Sequence, residues 1–95
     1  MVRNYEAMYI LNPAAGEEAT VATSERLKGL IEGAGTIEKY EVLGRRRLAY
    51  EINDQKEGFY VLVNFSADVE FPKEFERILK ITDGVLRYLI TRTDD

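Results

Sequence analysis

The sequence contains no cysteine and no histidine. The first absence removes a disulfide framework, a thiolate zinc site and a thiol nucleophile. The second removes the side chain that most often serves as a general base or as a transition-metal ligand. No apolar run approaches the roughly 20 residues that a helix needs to cross a bilayer, and no signal peptide opens the chain. There is no glycine-rich phosphate loop, and the 17 acidic residues form no recognisable paired-carboxylate or metal-ligand motif. Together these absences argue against an enzyme, a metal centre, a cofactor, a small-molecule substrate or a membrane partner. The expectation is a cytoplasmic protein that binds rather than reacts.

Positive charge is also scarce overall. The net charge is −4, which argues against the broad positive field of an indiscriminate nucleic-acid binder. Yet Arg45, Arg46 and Arg47 stand together inside "EVLGRRRLAYEI" (41–52), and the stretch Leu43 to Tyr50 carries +3. Taking +3 from −4 leaves −7 on the rest of the chain, which repels phosphate. Any contact with an anionic partner should therefore be local.

Ninety-five residues suit one domain, spanning 1–95 and burying somewhat over 60% of its unfolded surface, roughly, by the scaling of surface with size. The hydrophobic fraction of 45% and charged fraction of 32% fit an ordinary soluble globule. "NYEAMYIL" (4–11) reads as a strand stopped by Asn12-Pro13. Gly16, Glu17 and Glu18 read as a helix entrance, with acids near the positive end of the dipole. Leu27, Leu30, Ile31 and Ala34 share one helical face, and Gly33 and Gly35 end it. Thr20, Thr23 and Ser24 make the first half of that helix the weaker one.

"TIEKYEVL" (36–43) starts a strand that runs on to Ile52, "NDQKEG" (53–58) is a polar turn, and "FYVLVNF" (59–65) reads as a central strand. Pro72 fits a first helical turn, with Phe75, Ile78 and Leu79 at helical spacing. Asp83-Gly84 turns the chain into a last strand, "VLRYLITR" (85–92), and a polar tail. The order β-α-β-β-α-β predicts an α+β, ferredoxin-like fold: a four-stranded antiparallel sheet with both helices on one face. Leu27, Leu30, Ile31, Phe75, Ile78 and Leu79 should pack there. The other face stays open.

Strand alternation sends Arg45 and Arg47 to one face and Arg46 to the other. Charged side chains can simply defend an edge strand. Gly44 and the lack of interspersed acids favour an anionic target instead. Arg3 and Arg87 are candidates to extend the patch. "KEGFYVLVNF" (56–65) has the position of the RNA-recognition-motif octapeptide on the third strand of the same topology. It departs from that pattern at Tyr60-Val61, so a stand-alone module binding single-stranded RNA on its sheet is the alternative reading. Phe59, Val61, Val63 and Phe65 should instead pack under the helices. An acylphosphatase-like enzyme would need a basic loop after the first strand, and Asn12 to Gly16 carry no charge.

"RNYEAMYILNP", "EKYEVLGRRRLAYEI", "EGFYVLVNF" and "ITDGVLRYLITR" together resemble the bacterial small-subunit ribosomal protein six family, in order over nearly the whole chain. The block Gly44, Arg46, Arg47, Leu48, Ala49 and Tyr50 is the most specific part; Arg3, Tyr5 and Glu6 match the family's opening, and Leu86, Arg87 and Tyr88 match its last strand. The resemblance implies the same ferredoxin-like fold and a ribosomal, structural, non-catalytic role. It further implies binding to the central domain of small-subunit ribosomal RNA together with ribosomal protein eighteen. Arg46 and Arg47 are the expected contact residues for RNA or partner, supported by Arg3, Arg45 and Arg87.

Overall fold

Four strands and two helices follow one another as β1 (Val2–Leu11), α1 (Glu17–Ala34), β2 (Gly35–Ile52), β3 (Gln55–Asp68), α2 (Phe71–Ile81) and β4 (Val85–Arg92). They are taken from a computed structural model that describes residues 1–52 and 54–94. Asn53, first residue of the expected turn, and Asp95, last of the expected tail, lie outside the described residues. The strands form one antiparallel sheet in the order β2-β3-β1-β4, the ferredoxin-like arrangement expected.

Alternation decides which residues the helices cover. Tyr5, Ala7, Tyr9 and Leu11 of β1 pair with Phe65, Val63, Val61 and Phe59 of β3, and all except half-buried Phe59 are buried. Leu27 and Ile31 of α1 and Phe75 and Leu79 of α2 close over them. Phe65, Phe71 and Phe75 form an aromatic run, with centroids 5.8 Å apart edge to face and then 5.5 Å stacked. Leu30 and Ile78, expected in the core, are only half-buried at its margin.

Ala34 is exposed, so the buried face of α1 does not run to its end. It begins earlier, at Thr20 and Ser24 in the half expected to be the weaker one, and both of these polar residues are buried. Each has a partner: the Thr20 hydroxyl donates to the Gly16 carbonyl at 2.8 Å, and the Ser24 and Tyr40 hydroxyls meet at 2.6 Å. Buried hydroxyls with partners lose little on folding. Tyr9 lies beside this pair, with its own hydroxyl buried and unpartnered among the described residues. Burial foremost, then Tyr40, raises its ionisation far above the usual phenol range.

The expected polar turn at 53–58 is shorter than the sequence suggests. β3 already begins at Gln55, opposite Ile52, and Asp54 takes a left-handed φ of 65° in the connection. The hairpin of β2 and β3 thus extends past the end of β1, where Leu11 pairs with Phe59. The molecule measures 40 × 24 × 22 Å.

Candidate nucleic-acid interface

The arginine triplet sits where this hairpin leaves the body of the sheet. β2 slips register between Val42 and Gly44, and Gly44 absorbs the slip with a φ of 81°, a region that disfavours other residues. Beyond it Arg45 faces Phe59, Arg46 faces Gly58 and Arg47 faces Glu57. Phe59 belongs to the helix side, so Arg45 and Arg47 lie on that side and Arg46 on the open face, as alternation requires. The triplet is therefore divided between two surfaces of one hairpin.

The three cations are not equivalent. The Arg45 guanidinium donates to Glu57 Oε1 at 2.9 Å, with both side chains more than half exposed. Among the described residues, no carboxylate pairs with Arg46 or Arg47. On the helix side Arg45 and Arg47 join Lys56 around an open hollow of about 500 Å³, walled by Pro13 and Ala14 and also reached by Asp54 and Glu57. Its charge is mixed, and among the described residues Arg47 and Lys56 are its cations without a carboxylate partner.

On the open face the register sets out successive rows. Gly44, Tyr60, Ile10 and Arg87 form one, Glu41, Leu62, Met8 and Leu89 the next, and Lys39, Asn64, Glu6 and Thr91 the third. The hairpin end bends over the first row. Pairing lapses between Arg47↔Glu57 and Ile52↔Gln55, leaving residues 48–51 of β2 against a single residue of β3. Such an excess on one strand bends it. Leu48 becomes buried, and it and Ile10 both close on Gly58, at which a methyl group would lie closer than 3.0 Å to Ile10 Cγ2. Farther along the same bend, the Tyr50 ring stands 5.3 Å from the Arg87 guanidinium on β4.

Arg87 thus shares the open face with Arg46, near the bent hairpin. Arg3 does not join them. It pairs with Ala67 on the helix side, seven residues back along β1 from Ile10, which is roughly 24 Å at ~3.4 Å per residue. There it contributes to holding the Asp94 carboxyl below the usual range. The larger causes are the Arg92 guanidinium hydrogen bond, at 2.8 Å, and the Asn4 backbone N–H.

Sequence reasoning did not single out Gly58 or the Arg87–Tyr50 contact, and it named Tyr60 only as a departure from the octapeptide pattern. One signal for the bend was available: Arg46, Leu48 and Tyr50 fall at alternate positions, which puts an aliphatic and an aromatic side chain on the face of one arginine. Tyr60 is the sole aromatic residue of 59–65 on the open face, since Phe59 and Phe65 pack under the helices. The octapeptide likeness therefore does not produce an aromatic sheet platform.

A family model described as ribosomal protein S6 matches residues 4–92. Small ribosomal subunit protein bS6 of Clostridium novyi is 49% identical over 94 residues, covering 98% of this chain and 99% of that protein. The protein of the same name from Thermoanaerobacter pseudethanolicus is 52% identical over 95 residues, covering 99% and 100%. The crystal structure of 30S ribosomal protein S6 from Thermotoga maritima superposes with a TM-score of 0.91 at 35% identity, over 98% of this chain and 89% of that one.

Proposed function

The chain belongs to the ribosomal protein S6 family, a structural and non-enzymatic component of the small subunit of the bacterial, cytoplasmic ribosome; on that premise we propose that it binds the central domain of small-subunit ribosomal RNA jointly with ribosomal protein eighteen. The whole chain, 1–95, acts in this reading as one domain. Arg46 and Arg47 are its principal contact residues.

The observation that carries the reading is the state of those two guanidiniums. Each is exposed on a projecting hairpin, and neither pairs with a carboxylate among the described residues. Guanidinium forks on phosphates position a protein without reading sequence, so RNA shape and the partner supply specificity. Arg45 is partly committed to Glu57 and contributes less, although an exposed pair of that kind is readily exchanged. Arg87 supports Arg46 on the open face. Arg3, at the far end of β1, belongs to a separate contact.

Charge arithmetic supports the need for a partner. Few cations are available against the −7 of the remaining chain, and acids around the patch act over a Debye length of ~8 Å at physiological salt. The protein alone should bind the RNA weakly, and with its basic partner cooperatively, with a coupling of ~1–3 kcal/mol. The test is a titration of labelled central-domain RNA with this protein, with the partner and with both, repeated over a salt series. Replacing Arg46 and Arg47 by alanine should weaken the joint complex and reduce the log–log salt slope by ~1–2 units. Unchanged affinity and slope would reduce the triplet to edge protection, and tight binding by this chain alone would remove the partnership.

A further inference from the structure

We propose that Tyr50 is a nucleobase-stacking residue, receiving one unpaired base of the bound RNA on its exposed ring face. The proposal rests on the RNA-binding reading above and adds a contact of a different kind, one that carries no charge.

Tyr50 is 58% exposed although it lies over the sheet, because the bend at 48–51 holds it above the surface instead of pressing it in. Its ring is not free to wander. The Arg87 guanidinium sits 5.3 Å from the ring centroid, and the adjoining hairpin is anchored by Leu48 on Gly58. One ring face is therefore backed by a cation while exposed surface remains for another planar group. Aromatic rings recognise unpaired bases in this way, and stacking tolerates any base because each presents a π face.

The surroundings favour RNA over a protein side chain. At Arg87, which stands against the Tyr50 ring, the open face holds a hollow of about 290 Å³, lined by Met8, Ile10, Arg87, Tyr88 and Leu89. That is just under the range of a drug-sized ligand site, so it admits a single ring system or one side chain. Among the described residues whose pairing places them on the open face at this end, the charged ones are the cations Arg46 and Arg87; Glu51, next to Tyr50, lies in the unpaired stretch. The paired carboxylates of this face lie elsewhere: Glu6 is four residues down β1, roughly 14 Å away, and Glu41 is on the opposite edge strand from Arg87. An apolar place bordered by cations suits a nucleotide, with its base on the ring and its phosphate near a guanidinium.

The experiment uses the full chain with ribosomal protein eighteen and labelled central-domain RNA. Tyr50→Leu should weaken RNA binding by about 5- to 150-fold, the range for losing one stacked base, with the salt slope unchanged. Tyr50→Phe should retain wild-type affinity. The protein lacks tryptophan, so Tyr50→Trp provides a single indole whose fluorescence should be quenched when RNA is added to the two-protein mixture. Wild-type affinity in Tyr50→Leu would overturn the stacking contact. Indole quenching or loss of association caused by the partner protein without RNA would overturn it in favour of a protein–protein contact. If the wild-type mixture itself fails to bind the RNA, the underlying reading fails with it, which separates the two outcomes.

Discussion

Gly58→Ala tests whether the hairpin end is closed onto the open face. At Gly58 an added methyl group would meet Ile10 Cγ2 closer than 3.0 Å and Leu48 Cδ2 at 3.2 Å. The leucine carbon is the end of a flexible side chain and can yield. The isoleucine carbon is attached to a β-branched centre that is stiff about χ1, and Ile10 is only 4% exposed, so the backbone of β1 or β3 must move. Overpacking of this kind costs about 1–3 kcal/mol. Replacing glycine in a strand by alanine returns roughly 0.5–1 kcal/mol, so the net loss should be about 0.5–2 kcal/mol. Ile10→Ala alone should cost about 2–5 kcal/mol as a truncation of a buried side chain. In the double variant the new methyl occupies part of the space that Ile10 vacates. The loss should then fall short of the sum of the singles by ~1 kcal/mol or more. Urea melts of the four proteins, fitted with a common slope, measure this cycle. A Gly58→Ala protein as stable as the wild type would refute the closure, and so would single losses that add within ~0.5 kcal/mol, the behaviour of independent sites.

Other substitutions probe the helix side and the termini. Leu27→Ala removes a fully buried side chain and should cost ~2–5 kcal/mol, while half-buried Leu30→Ala should cost clearly less; equal losses in denaturant melts would contradict the orientation of α1. Gly29→Ala meets nothing within 4 Å and should raise stability by roughly 0.8–1 kcal/mol, whereas at Gly35 a methyl would collide with the Ser66 carbonyl and should destabilise; thermal melts distinguish the two. Asp94 has a lowered folded-state pKa, chiefly through Arg92 and then the Asn4 N–H. Its contribution is present above the ordinary carboxyl pKa of ~3.9 and is lost as pH falls through the folded value. Asp94→Asn should therefore make stability decline less steeply below about pH 4, and an unaltered acid limb would show that the tail is not anchored by this group.

Local pattern carried much of the architecture. Phe75 and Leu79 at helical spacing, the alternation from Phe59 to Phe65, and the turn at Asp83-Gly84 each express a short-range period, and each lies where that period places it. What escaped depends on partners distant in sequence. Ser24 reads as a poor helix residue until Tyr40, 16 residues away, satisfies its hydroxyl. Arg45 reads as an unpaired cation until the hairpin register brings Glu57 to it. The division of Arg45 and Arg47 from Arg46 was legible because alternation is local. Arg3 and Arg87 were harder to place relative to the triplet, since their positions depend on strand register and on the bend at 48–51.

Two of the three register irregularities in β2 also bear on how this protein meets copies of itself. An edge strand offers unpaired N–H and C=O groups to any passing chain, and a long flat one invites sheet growth. β2 is an edge of 18 residues, but the slips between Ile37 and Lys39 and between Val42 and Gly44 interrupt its outer row of donors and acceptors and increase its local twist. No uninterrupted template of that length is available to a neighbour. The opposite edge, β4, has eight residues, a charged side chain at Arg87 and another at Arg92, and an irregularity where Ile10 gives way to Leu11 on its partner. Intermolecular strand pairing would thus begin on β4 between Arg87 and Arg92, where Leu89 is 57% exposed, and a lysine at position 89 should suppress it.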